Sequence, residues 1–163
     1  MRTWQTTRRV RFADCDPAGI VFFPQYLVML YTLHEQWFDE ALGVPYATLI
    51  GARRTGMPTV RLEVDFTAIS RHGDDLVLSL GVARLGRSSL ELAVEFFGRR
   101  EPGPSGAATP PADDRELRLR ARQVLVCTSL DTHRPQPFPP DLRAALEHYA
   151  PPAAPAPSET RPS

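Results

Sequence analysis

From Val60 to Thr67 the chain reads VRLEVDFT, and Val60, Leu62, Val64 and Phe66 alternate with Arg61, Glu63, Asp65 and Thr67. A period of two predicts a strand with one apolar and one polar face. The pattern recurs in DLVLSLGVARL (75–85), in SSLELAVEFFG (88–98) and in LRLRARQVLVCT (117–128), where Leu117, Leu119 and Ala121 oppose Arg118, Arg120 and Arg122. TTRRVRF (6–12) reads as a first strand. Strands with half-polar faces predict an antiparallel sheet and not a doubly wound parallel one. One segment follows a different period. From Gln25 to Leu42, Tyr26, Met29, Leu30, Leu33, Trp37 and Ala41 keep helical spacing, and Leu27, Tyr31 and Phe38 widen the stripe. Such a helix is buried over much of its circumference. Gly43 and Pro45 end it. Asp141 predicts the cap of a short last helix running through Tyr149. One long helix and about five antiparallel strands define an α+β fold, a curved sheet wrapped around the helix.

Two stretches carry no such pattern. REPGPSGAATPPADD (100–114) is rich in Pro, Gly and Ala and predicts an extended, mobile connection, taken as 101–116 with its flanks. APPAAPAPSETRPS predicts a disordered tail over 151–163. Residues 1–150 are thus expected to form one domain, for which 163 residues at 42% hydrophobic content suffice.

Composition narrows the function classes. The formal net charge is +0, so no overall field draws the chain to nucleic acid or to an anionic membrane. All 19 basic residues are arginine. No segment approaches the roughly 20 apolar residues of a membrane span, and the N-terminus lacks the apolar run of a signal peptide. Cys15 and Cys127 are too few for a disulfide framework and lack the paired spacing of a zinc site. These features predict a cytoplasmic protein. There is no G-x-S-x-G elbow, P-loop, dinucleotide fingerprint or His pair at metal spacing, so neither a cofactor nor a metal is implied.

The chemistry concentrates in RFADCDPAGIVFFPQYL, Arg11 to Leu27, at the junction of the first strand and the long helix. A plain connector has no need of Asp14 and Asp16 beside a run as apolar as Ile20 to Phe23. Asp16 before Pro17 reads either as a helix cap or as a working carboxylate. Asp14 reads as structural, paired with an arginine or bonded to loop amides. Gly19 suits either an ordinary turn or a backbone approached closely by a ligand.

DCDPAGIVFFPQY resembles the signature of the hotdog-fold acyl-CoA thioesterases, most closely the 4-hydroxybenzoyl-CoA thioesterase branch, and the similarity runs from about Thr6 to Tyr149. The resemblance implies hydrolysis of an acyl-CoA thioester. It makes Asp16 the catalytic carboxylate, acting as a nucleophile that forms a mixed anhydride or as general base for water. It places the backbone N–H of Phe23, after the Gly19 turn, where it polarises the thioester oxygen. Phe22, Phe23 and Tyr31 would wall an apolar acyl pocket, with Met57 and Pro58 as further candidates. Tyr31 stands where the 4-hydroxybenzoyl enzyme has an aspartate, which argues against a specific taste for that ester. His34 shares a stripe with Tyr31 and is a candidate pocket contact, and Glu35 is a reserve catalyst. Arg87 and Ser89 in ARLGRSSL match positions that hold CoA phosphates, although the same residues suit a hairpin turn. Hotdog domains assemble, so a homodimer or homotetramer is expected. The rival readings are hydrolysis of an acyl group on a carrier protein and a non-catalytic acyl-CoA-binding scaffold.

Overall fold

In a computed structural model the described residues are 2–99 and 114–151. The expected mobile connection and tail fall almost wholly outside them. Five antiparallel strands form the main sheet: β1 (Thr3–Arg9), β3 (Thr59–Phe66), β4 (Asp75–Leu85), β5 (Ser89–Arg99) and β6 (Arg115–Val126), in the order β1-β4-β5-β6-β3. Two short strands, β2 (Thr55–Gly56) and β7 (Thr128–Ser129), pair beside it. The long helix α1 (Phe23–Gln36) continues into a π-helical turn over Trp37–Ala41. The helices α2 (Tyr46–Ile50) and α3 (Pro140–Glu147) complete the fold.

The core lies between α1 and the sheet. Met29, Leu33, Trp37 and Phe38 on the helix pack against Leu76, Leu78, Leu80 and Val82 of β4, Leu90 to Phe96 of β5, and Leu119, Ala121 and Leu125 of β6. Each such side chain contributes roughly 1.5–3 kcal/mol when fully buried, and together they hold the helix in the curve of the sheet. Leu142 and Leu146 of α3 seal one end, where Tyr149 meets Trp37 edge to face at 5.5 Å. On the outer face Arg120 and Arg122 of β6 pair with Glu95 and Glu91 across the ladder.

Five expectations change in detail. The first strand runs from Thr3 to Arg9 and not from Thr6 to Phe12, whose end is drawn into a 3₁₀ turn, Phe12–Asp14. The α2 turn has no counterpart in the sequence pattern. Asp141 is not a cap: α3 starts one residue earlier, and Asp141 instead receives two hydrogen bonds from Arg53, at 2.5 and 2.8 Å. Arg118, read as facing outward with Arg120 and Arg122, is buried. Its position faces a register shift between Phe96, opposite Leu119, and Phe97, opposite Leu117, so that Arg118 is the extra residue of a β-bulge. Finally, the apolar face of β3 is largely uncovered: it is an edge strand that α1 meets only at Phe66, through the rings of Phe23 and Tyr26, while Val60 and Leu62 are exposed.

Candidate active site

The loop between β1 and α1 is locked from both sides. The Asp14 carboxylate is buried; its Oδ1 accepts Arg8 Nη2 at 3.0 Å and its Oδ2 accepts the Arg11 N–H at 2.8 Å. Arg8 also reaches Thr32 on α1, at 3.4 Å. A paired, buried carboxylate of this kind ties strand, loop and helix together, which is the structural role its pattern suggests. The Asp14 carbonyl in turn accepts the Phe22 N–H at 3.0 Å and so fixes the residue that precedes α1.

Asp16 lies two residues on and is half-buried. Its N–H donates to the Ile20 carbonyl at 2.9 Å, its own carbonyl accepts the Gly19 N–H at 2.9 Å, and Oδ1 accepts the Ala18 N–H at 2.8 Å. Asp16 therefore closes a tight turn and does not cap α1, which starts seven residues later. One carboxylate oxygen is engaged in this turn. For Oδ2 no protein partner exists among the described residues. Gly19 has φ +77°, the left-handed region, and an added Cβ would meet nothing within 4 Å, so the turn conformation demands the glycine.

Phe22 and Phe23 are exposed at the start of α1. Pro24 supplies no donor, and no acceptor among the described residues takes the Phe23 N–H, which stands at the positive end of the helix dipole. Behind it, a cavity of about 260 Å³ is walled by Ile20, Phe23, Tyr26, Phe66 and Ile69. Phe66 and Ile69 had no place in the sequence-derived site. Alternation marked Phe66 as a core residue, whereas its ring stands 6.3 Å from that of Phe23. Cys15 sits between the two aspartates and is a poor nucleophile: burial first, then the Asp14 and Asp16 carboxylates, raise its thiol above the ordinary 9.0, and its Sγ–H is turned to the Arg11 carbonyl, 3.6 Å away.

Tyr31 is exposed on the same side of α1 as Val28. His34, one turn on, is not on the expected pocket wall. It is buried between the rings of Phe38 (4.9 Å) and Tyr46 (5.5 Å), its Nε2 has no partner among the described residues, and burial lowers its pKa from 6.5 to about 4. The helix phase turns it inward. Glu35 is half-buried. Arg87 and Ser89 lie at the turn joining β4 to β5, where the Gly86 N–H meets the Ser89 carbonyl and the Arg87 guanidinium is exposed. The Asp16 loop abuts the opposite end of β4, since Val21 and Val10 bond Ser70 and Asp74, just before that strand. At about 3.3 Å per residue, the length of β4 puts roughly 35 Å between the two ends. A single chain does not bring Asp16 and Arg87 together. Met57 and Pro58 are likewise at the far end, next to Val126. Among the described residues no group of His, Cys, Asp or Glu is placed to hold a metal, and no helix is long and apolar enough to cross a membrane.

A pinned aspartate and, seven residues on, an amide without an acceptor among the described residues beside an apolar cavity suit acyl transfer, and comparison with known proteins agrees with this class. The model of the thioesterase-like superfamily matches residues 10–146, and the chain belongs to that family. It is 25% identical over 146 residues to the 1,4-dihydroxy-2-naphthoyl-CoA hydrolase of a Synechocystis species, covering 90% of this chain and 96% of that one. It is 29% identical over 128 residues to the 4-hydroxybenzoyl-CoA thioesterase of a Pseudomonas species, covering 78% and 84%. The solved structure of the Pseudomonas enzyme superposes with a TM-score of 0.74 over 89% of this chain and 99% of that chain. The fold is thus the hotdog fold expected from the motif.

Proposed function

We propose that this chain is an acyl-CoA thioesterase that hydrolyses thioesters with an aromatic acyl group, with Asp16 as its catalytic carboxylate. The observation that carries the reading is a half-buried Asp16, held by three turn hydrogen bonds on the loop that leads into α1, whose first N–H, that of Phe23, has no acceptor among the described residues. The curated relatives, hydrolases of 1,4-dihydroxy-2-naphthoyl-CoA and 4-hydroxybenzoyl-CoA, supply the substrate class. The thioester carbonyl takes a hydrogen bond from Phe23 N–H as its oxygen gains charge. Asp16 then either attacks the carbonyl carbon and expels the CoA thiolate, leaving a mixed anhydride for water to open, or removes a proton from the attacking water. Both routes end in free acid and CoA thiol. The apolar walls, Ile20, Phe23, Tyr26, Phe66 and Ile69, suit an aryl group, whereas Phe22 and Tyr31, expected as walls, are exposed outside that cavity.

The acting unit in this reading is a homodimer. β3 presents an unpaired edge and an uncovered apolar face, which a second copy satisfies at once. Phe66 lies at the Asp16 end of β3 and Thr59 at the Arg87 end, next to Leu125. Antiparallel pairing of two β3 edges therefore carries Asp16 of one protomer toward Arg87 of its partner, giving the CoA phosphates a guanidinium that the single chain holds far away. Two unpaired cysteines fit a reducing compartment, the cytoplasm.

Thiol release from purified protein with benzoyl, hydroxybenzoyl, hydroxynaphthoyl and aliphatic CoA esters tests the reading. At least one aryl ester should turn over, with chelator making no difference. Asn keeps the Ala18 hydrogen bond through its own Oδ1 but is neither nucleophile nor base at neutral pH. Asp16→Asn should lower kcat about a hundredfold or more while melting temperature and size stay as in the wild type. A folded, fully active Asp16→Asn protein would move the chemistry elsewhere, to Glu35 first.

A further inference from the structure

Burying a guanidinium is costly unless its donors are satisfied, and a buried ion pair is poor evidence of a gain in stability. Arg118 is 3% exposed. Its Nη1 donates to the Ile69 carbonyl at 2.6 Å and faces Glu116 Oε2 at 2.8 Å, and its Nη2 donates to the Arg99 carbonyl at 2.5 Å. Its Nε has no acceptor among the described residues. The side chain lies in a slot opened by Gly98, where an added Cβ would stand 2.5 Å from Nε and 3.2 Å from Cζ. Because Arg118 is the extra residue of the β6 bulge, its own carbonyl is free of the β5 ladder, and it accepts the N–H groups of Thr67 at 3.0 Å and Ala68 at 3.4 Å. Main chain and side chain of one residue thus grip both ends of the segment Thr67–Ile69.

That segment supports the site. Next to it, the Ser70 carbonyl accepts the Val21 N–H at 2.9 Å, Ser70 Oγ accepts the Tyr26 hydroxyl at 2.8 Å, and Arg71 bridges to Ile20. Ile20 closes the Asp16 turn, and Val21 leads directly to Phe22 and Phe23. A continuous run of hydrogen bonds therefore leads from Arg118 to the Asp16 turn on one side and the first turn of α1 on the other.

We propose that Arg118 is a positioning residue: its buried guanidinium clamps the β3–β4 loop, and that loop sets the distance between the Asp16 carboxylate and the Phe23 amide. Arg118 touches no substrate. Catalytic groups carried on a loop need such outside support, since a displacement near 1 Å can cost on the order of a hundredfold in rate. The catalytic half of the inference rests on the hydrolase reading, whereas the clamp itself does not.

Arg118→Met keeps the length of the side chain and removes the donors, and Gly98→Ala keeps Arg118 and fills its slot. In both, amide hydrogen exchange at Val21 and in the 67–71 segment should accelerate on the order of tenfold, with exchange in β4 and β5 unchanged. With an aryl-CoA ester kcat should fall roughly tenfold or more at nearly constant KM. Melting temperature should fall in Arg118→Met, which leaves the Ile69 and Arg99 carbonyls and Glu116 without their donor, so exchange and kcat are compared well below both transitions. Unchanged exchange at Val21 in both variants would overturn the clamp. Faster exchange with unaltered kcat would overturn the positioning role. If Arg118→Met does not fold, Gly98→Ala decides by the same readings. A wild-type chain that releases no thiol overturns the hydrolase reading alone, and the exchange rates still decide the clamp.

Discussion

β3 and β5 lie in one sheet with only β6 between them, and each alternates apolar with polar residues along its length. In β5, Leu90, Leu92, Val94 and Phe96 are at most 1% exposed, whereas in β3 Val60 is 61%, Leu62 37% and Phe66 49% exposed. The difference is one of position. β5 is central and faces α1, while β3 is the edge that α1 meets only at Phe66. Alternation tells which side of a strand is apolar, but what covers that side is decided by the neighbours. On β5 the cover is intramolecular and the apolar face stabilises the fold. On β3 no described residue covers Val60 or Leu62, beside the cavity that Phe66 and Phe23 line, and the proposed second copy would supply that cover.

The contrast is broken most directly by truncating each face. Phe96→Ala empties a fully buried site and should cost about 3–5 kcal/mol, read from the urea midpoint. Leu62→Ala should change the stability of the chain by less than about 1 kcal/mol. Leu62→Asp should leave the circular dichroism spectrum intact but shift the molar mass by light scattering from dimer to monomer, with thiol release lost. A Leu62→Asp protein that remains dimeric and active would mean that β3 is not the interface.

α1 shows the same contrast within one turn, between exposed Tyr31 and buried His34. Burial holds the His34 pKa at about 4 against an ordinary 6.5. Below pH 6.5 the unfolded chain takes up a proton that the folded chain refuses until about pH 4. The stability tied to neutral His34 is therefore complete above pH 6.5 and lost progressively as pH falls toward 4, by roughly 3 kcal/mol in all. His34→Leu should flatten that part of the profile, in urea unfolding at pH 7 and pH 4.5. A gap between wild type and variant that is the same at both pH values would place His34 in a wetter setting than its ring contacts describe.

How much of this was legible in the sequence depends on the range over which each feature is decided. The α1 stripe and β4, β5 and β6 were legible because their periods are set within a few residues and agree with the core they enter. The Asp16 loop was legible through its motif, down to the structural pairing of Asp14, although the choice between cap and turn at Asp16 needed the Ile20 and Ala18 contacts. Arg118 was misread because a bulge belongs to a pair of strands, and nothing in LRLRAR marks where β5 slips past β6. His34 lies about a sixth of a helical turn from Tyr31, enough to exchange pocket for core. α2 was missed since five residues give no period to detect. The span between Asp16 and Arg87 was invisible because ladder ends are set by topology, not by local pattern.

That span yields the smallest expected effect and the most specific test. Arg87→Ala removes one exposed guanidinium from the proposed phosphate contact, so KM should rise roughly fivefold, about 1 kcal/mol, with kcat little changed. A hairpin role alone would leave KM where it was. If the site is shared across the β3 edge, a mixed dimer of one Asp16→Asn chain and one Arg87→Ala chain has one site carrying both substitutions and one carrying neither. The intact site takes its aspartate from the Arg87→Ala chain and its arginine from the Asp16→Asn chain. Such a dimer, purified through two different affinity tags, should show about half the wild-type kcat per dimer with the wild-type KM. Were Asp16 and Arg87 to serve within one chain, the only working site would be that of the Arg87→Ala chain, and the mixed dimer would show the raised KM. The Michaelis constant of the mixed dimer thus separates a site completed by the uncovered strand from one that a single chain completes alone.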